Sequence, residues 1–142
     1  MSETVLLVHA GATWFMVGLI WFVQIVHYPL FSSVSGKEWI GYEARHQRRT
    51  TIVVLPVMLI EAITAVTLAL GVWGGPIPGM WPWLGVVLLA IIWISTFAVQ
   101  VPLHAKLAQR HSFPSIRRLV MSNWVRTIAW SGRGIVALVL VR

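Results

Sequence analysis

Histidines, amides and arginines recur at the ends of otherwise apolar segments of this chain. Gln24, His27, Gln100, His104, Asn123 and Arg126 all fall within about two helical turns of one level. Glu43, His46 and Arg49 sit just beyond that level. Histidine supplies acid/base or metal-ligand chemistry near neutral pH. Arg126, with Asn123 beside it, can hold an anionic group or polarise an oxygen. The candidate catalytic residues are therefore His27, His104, Asn123 and Arg126, and Gln24 and Gln100 are candidate contacts for a bound cofactor or ligand. The same polar groups could also simply meet lipid headgroups and water.

A second layer lies deeper. Glu61 and Arg133 are each about ten residues past the start of their apolar segments, which at about 1.5 Å per residue places both near the middle of a bilayer. An ion pair between them is expected. It either forms the floor of a binding site or only sets helix register. His9 stands near the opposite face and reads as a satisfied structural or headgroup-facing residue. His111 reads as a solvated loop residue.

Metal chemistry is a further option. Glu43-Ala44-Arg45-His46 is a Glu-x-x-His unit, as in di-iron carboxylate bundles, but a di-iron site needs more carboxylates than the four this chain carries. A single metal on His27, His46 and His104 stays open, as does a haem between His27 and His104. No phosphate-binding loop, dinucleotide glycine pattern or Ser-His-Asp arrangement occurs.

The elements that must position these residues follow from composition. The chain has 142 residues, 58% of them hydrophobic and 11% charged, which excludes an ordinary soluble domain. One unit covering 1–142 is expected. With no cysteine, thiolate chemistry and disulfides are excluded. Four apolar segments, about 5–31, 51–73, 83–103 and 124–141, are long enough to cross about 30 Å of hydrocarbon. Pro56 is expected to kink the second.

The net charge of +7 sits mainly in two connections, the first with Lys37, Arg45, Arg48 and Arg49, the third with Lys106, Arg110, Arg117 and Arg118. The second connection, GVWGGPIPGMWPW, has no Lys or Arg. Basic blocks flanking apolar spans point to anionic lipid headgroups, not nucleic acid. The positive-inside rule puts both basic connections in the cytoplasm and both termini outside it. The N-terminus lacks the features of a cleaved signal peptide, so the first span is expected to be retained. Trp73, Trp81, Trp83 and Trp124 are placed like interface anchors.

On a helical wheel each span carries one polar face: His9, Thr13, Gln24 and His27; Glu43, His46, Thr50, Glu61 and Thr64; Thr96, Gln100 and His104; Asn123, Arg126, Thr127, Trp130 and Arg133. Lipid cannot satisfy such groups, so all four faces should turn inward. The expected fold is all-α, a four-transmembrane-helix bundle with short amphipathic helices, GKEWIGYEARHQRR and FPSIRRLVMSNW, on the cytoplasmic side. No internal repeat is evident.

The stretches HYPLF, YEARHQRRTTIVVLP, QVPLH and NWVRTIAWSGRG together resemble a family of small, uncharacterised bacterial four-helix integral membrane proteins. That likeness implies the bacterial inner membrane and no particular activity. A Pro after the first span and the Asn-x-x-Arg-Thr of Asn123, Arg126 and Thr127 are more distantly similar to the anthrone oxygenase-like membrane family. This similarity implies cofactor-independent oxygenation of aromatic polyketides. The opening VHAGATWFMVGLIWF also resembles haem-associated membrane families, which implies His9 as a ligand.

Two functions from different classes follow. One is a membrane enzyme, expected to be redox, acting on a lipophilic ring-containing molecule drawn from the bilayer, with haem, a metal ion or no cofactor. The other is a non-catalytic accessory or haem-, pigment- or lipid-binding subunit of a homo-oligomer or larger membrane complex. A transporter is weaker, since four spans without a repeat pair make a small pathway.

Overall fold

A computed structural model describes residues 3–34, 36–72, 77 and 79–142. The expected anchor Trp73 lies outside the described residues. Four helical rods are long and apolar enough to cross a membrane: α1 (Glu3–Ser33), α2 (Gly36–Leu70), α3 (Trp81–Leu107) and α4 (Phe113–Val141). They pack as a ring in which α1 neighbours α2 and α4, and α3 neighbours α4 and α2. The α2–α3 seam is looser than the others. The chain is a multi-pass membrane protein by the length and composition of these helices.

Along the apolar spans the outward faces are apolar, with Leu7, Phe15, Ile52, Ile63, Ile94, Ile128 and Ile135 among the exposed side chains, and the exposed Arg45, Arg48, Arg49, Arg117 and Arg118 lie at the basic end. The polar faces turn inward, as lipid demands. Thr13, Gln24, Glu43, Glu61, Gln100, Asn123, Thr127 and Arg133 are all buried. Between them runs an apolar core of Met16, Ile20, Met58, Ile92, Ala129 and Trp130.

The two amphipathic segments are helical but are not separate surface helices. The first continues into the second span as one α-helix, Trp39–Leu70, and the second is the opening of α4. Their apolar faces meet each other and the ends of α1 and α3 in a second core of Tyr28, Phe31, Trp39, Leu107, Ile116 and Leu119. Trp39 Nε1 donates to the Leu107 carbonyl at 2.7 Å, satisfying a backbone acceptor in the last turn of α3. The bundle therefore extends past the apolar spans at its basic end.

Helix ends follow local chemistry. Gly71, at φ 72°, ends α2 in the left-handed conformation that glycine adopts without a Cβ penalty. Ser112 caps α4 by accepting from the Ser115 backbone N–H. The α2 helix runs on through Pro56, which keeps Glu43, His46, Glu61 and Thr64 on one continuous face.

Two other prolines have a larger effect. Each of α1 and α3 contains one widened, π-helical turn, Val23–His27 and Thr96–Gln100. The Tyr28 N–H bonds the Val23 carbonyl, and the Val101 N–H bonds the Thr96 carbonyl, each five residues back. Pro29 and Pro102 follow one residue later. A proline donates no hydrogen bond and crowds the carbonyl four residues before it. The widened turn absorbs that conflict and re-aims the side chains around it. This repetition of turn and proline, in the two helices that face each other across the ring, is a backbone device.

Candidate functional site

At the basic end Tyr28, His104 and Glu43 form a hydrogen-bonded row. His104 Nδ1 lies 2.6 Å from Glu43 Oε1, and His104 Nε2 lies 3.1 Å from the Tyr28 hydroxyl. The carboxylate can only accept, so it sets the proton on Nδ1 and leaves Nε2 to accept from Tyr28. Glu43 is fully buried and also accepts from Gln47 Nε2 at 3.2 Å. Gln47 donates as well to the His104 carbonyl, which pins the end of α3 to α2. The tyrosine owes its position to the widened turn just before it and the histidine to the matching turn in α3.

His46 extends the cluster. Its Nδ1 lies 2.9 Å from His27 Nε2 and 3.2 Å from the Thr50 hydroxyl. Its ring centroid is 4.7 Å from that of His27 and 5.3 Å from that of His104. Phe31 stands edge-on to His27 and His46 and walls the group. The three expected metal ligands are thus near neighbours, but their donor atoms are turned to one another, to Tyr28 and to Glu43. Among the described residues no group of three or more His, Cys, Asp or Glu side chains is arranged to hold a metal ion. His46 is also the shared neighbour of His27 and His104, where a haem between them would have to pass.

Beside this row opens a cavity of ≈ 350 Å³. Met16, Leu19, Ile20, Val54, Leu55, Met58, Phe97 and Val101 make its wall apolar. Tyr28, His46, Gln100, His104 and Arg126 make its polar end. Thr51, Leu55, Phe97 and Val101 line the cavity and are exposed on the outer faces of α2 and α3, so its mouth is the loose seam facing lipid.

Arg126 is buried, with its guanidinium 5.2 Å from the Trp130 ring centroid and the Tyr28 hydroxyl nearby. Its Nε has no hydrogen-bond partner among the described residues. Gln100 is held in the wall, accepting from Ser95 at 3.1 Å.

Gln24 and Asn123, two of the expected site residues, do not line the cavity. Gln24 Oε1 accepts from Asn123 Nδ2 at 3.0 Å and from the Thr127 hydroxyl at 3.3 Å, and its amide donates to the Val120 carbonyl. These bonds tie α1 to α4. His27 does not line the cavity; it bonds His46, which does.

The deeper layer is the expected ion pair. Arg133 Nε donates to Glu61 Oε1 at 2.8 Å, and Trp130 Nε1 donates to Oε2 at 3.0 Å. Arg133 Nη1 donates to the Gly85 carbonyl of α3. The pair joins the diagonal helices α2 and α4 through the bundle centre, away from the cavity. At the other end His9 Nδ1 meets the Thr64 hydroxyl at 2.9 Å, which places His9 in an α1–α2 contact.

Tyr28, Glu43 and Arg126 are the groups around which the site is built, yet Tyr28 carries no signal as a lone aromatic in an apolar run. A clue to Glu43 existed in the charge count, because four carboxylates in an apolar chain each need a partner. Comparison of the chain with protein-family models, curated proteins and solved structures finds no match, so the site is read from its own geometry.

Proposed function

We propose that this chain is an integral membrane enzyme that draws a lipophilic small molecule from the bilayer into the α2–α3 cavity and transfers a proton to or from an oxygen on it. The observation that carries this reading is the Tyr28–His104–Glu43 row opening on an apolar cavity with its mouth toward lipid. Tyr28 is the catalytic acid or base at the cavity. His104 exchanges the proton with Tyr28, and Glu43 is a positioning residue that stabilises the imidazolium. Arg126 stabilises negative charge on the ligand oxygen in a low-dielectric setting, where one cation is worth far more than in water. His46 and His27 lead from the cavity toward the basic end and offer a route for proton exchange. Of the redox chemistry expected from the sequence, these residues supply the proton-transfer half.

The basic connections favour the cytoplasmic side of a bacterial inner membrane, with both termini outside.

The test is an incubation of the protein in lipid nanodiscs with a fractionated extract of lipophilic metabolites, followed by mass spectrometry. A compound converted by the wild type and spared by Tyr28→Phe and His104→Gln supports the enzyme. A compound that co-purifies unchanged with all three proteins overturns it in favour of a ligand-binding subunit.

A further inference from the structure

Arg126 is 7% exposed and stands in a membrane-embedded core. A lone buried cation there is costly and calls for a counter-charge. The chain has four carboxylates, and none is within 4.0 Å of Arg126. Glu43 is engaged by His104 and Glu61 by Arg133. Glu3 and Glu38 lie in opening turns of α1 and α2. The guanidinium thus lies at the cavity with Nε unpartnered among the described residues.

A second orphan points the same way. Trp93 lines the same cavity, and its indole N–H is buried without a partner. The other unpartnered buried atoms, on Thr13, Glu43, His111, Asn123 and Arg133, belong to residues that do not line it. Of the residues that line the cavity, the two that carry unsatisfied buried atoms, Arg126 and Trp93, are thus both hydrogen-bond donors. The complementary ligand end accepts hydrogen bonds and carries negative charge, while the wall requires the rest to be apolar.

We propose that the cavity binds a long-chain carboxylic acid as its anion, with the carboxylate against Arg126 and the hydrocarbon chain running out between α2 and α3. This names the substrate class of the site described above and rests on that reading. A carboxylate matches a guanidinium in shape as well as charge. The adjacent proton relay selects an acid that titrates, which a phosphodiester headgroup does not do in the same range.

The acid reaches the cavity through hydrocarbon in its neutral form. There its O–H bond breaks, and the proton passes to the Tyr28 oxygen as Tyr28 gives its own to His104 Nε2. The products are a carboxylate paired with Arg126 and an imidazolium paired with Glu43. Total charge is unchanged and nothing is oxidised or reduced. Cavity size agrees, since ≈ 350 Å³ is at the small end of ligand pockets and the open seam leaves the chain's tail in lipid.

The experiment uses the full chain in nanodiscs of neutral phospholipid, with oleic acid carrying carbon-13 at its carboxyl group and methyl oleate as the uncharged analogue. The carboxyl resonance reports whether the bound acid is ionised. The expected result is a bound, ionised population in the wild type at a pH where the acid in the surrounding lipid is still protonated. Arg126→Gln should weaken oleate binding by roughly tenfold or more and methyl oleate binding by a clearly smaller factor. Arg126→Lys, which keeps the charge, should retain part of the oleate affinity. If Arg126→Gln does not fold, the oleate-to-ester preference of the wild type and Arg126→Lys decide the matter. Equal binding of oleate and methyl oleate to the wild type overturns the carboxylate inference and leaves the lipophilic site standing. Binding of neither overturns both. Displacement of oleate by phosphatidylglycerol at matched concentration, lost in Arg126→Gln, overturns it in favour of a phospholipid headgroup.

Discussion

His104 Nδ1 lies 2.6 Å from Glu43 Oε1, and this contact orients the protons of His104 and Tyr28. Because Glu43 accepts, the other ring nitrogen faces Tyr28 as an acceptor. Replacing Glu43 by Gln keeps the shape and removes the charge. The expected outcome is a changed His104 ring resonance in nitrogen-15 NMR of histidine-labelled protein, with His9 unmoved because it bonds Thr64 in another contact. In the metabolite assay Glu43→Gln should lower turnover by about 10²-fold or more. An unmoved His104 resonance would remove Glu43 from the relay.

The Glu61–Arg133 pair is buried on both sides. Glu61→Met or Arg133→Leu alone should each destabilise the protein by about 3–5 kcal/mol, since each strands a partner. Glu61→Met combined with Arg133→Leu should recover most of that loss. Unfolding in detergent, read as a double-mutant cycle, checks this. Additive losses in the double variant would mean that the pair is not a closed unit.

The π turn in α3 and Pro102 are expected to be coupled. Deleting Ala98, which faces outward, converts the widened turn to α-helix and returns the Pro102 ring to the carbonyl it avoids. That deletion should cost about 3 kcal/mol more with Pro102 present than with Pro102→Ala. The same unfolding measurement on the four combinations gives the coupling. A coupling near zero would show that something other than the proline holds the turn open.

The seam between α2 and α3 should be the route of ligand access. Leu55→Trp or Val101→Trp places bulk at the mouth on a lipid-facing side chain. Stability should change by less than about 0.5 kcal/mol. Association of a lipophilic ligand, followed by stopped-flow quenching of tryptophan fluorescence, should slow sharply. A tryptophan at Ile128, on the lipid-facing side of α4, should leave the rate unaltered. Equal slowing by all three substitutions would place the mouth elsewhere.

Much of this protein was legible in residue order. Four long apolar segments can cross a bilayer only as helices, because each helix satisfies its own backbone. One polar face per helix then requires a bundle with those faces inward. The Glu61–Arg133 pair followed from depth alone, because two charges at one level in hydrocarbon have no other partners. The first amphipathic segment could be read as leading into the second span, but that α2 runs unbroken through Pro56 and that the second segment is the opening of α4 was not legible. Neighbouring helices stabilise those turns, and Trp39, Ile116 and Leu119 become core only when the extensions meet.

Tertiary structure alone decided which polar groups share a site. Gln24, His27, Asn123 and Arg126 are at similar depth, yet Gln24 and Asn123 bond each other while Arg126 faces a cavity without a counter-ion. Depth is read from residue count, which is additive along a helix. Azimuth depends on the two widened turns, each of which rotates the following residues by most of a helical step. That rotation sets Tyr28 against His104, and it cannot be counted from spacing at 100° per residue. Residue order thus determined a membrane bundle with polar layers at known depths, and the packed helices decided that one layer is a strut, one a tie and one a hydrogen-bonded Tyr28–His104–Glu43 row beside an apolar cavity.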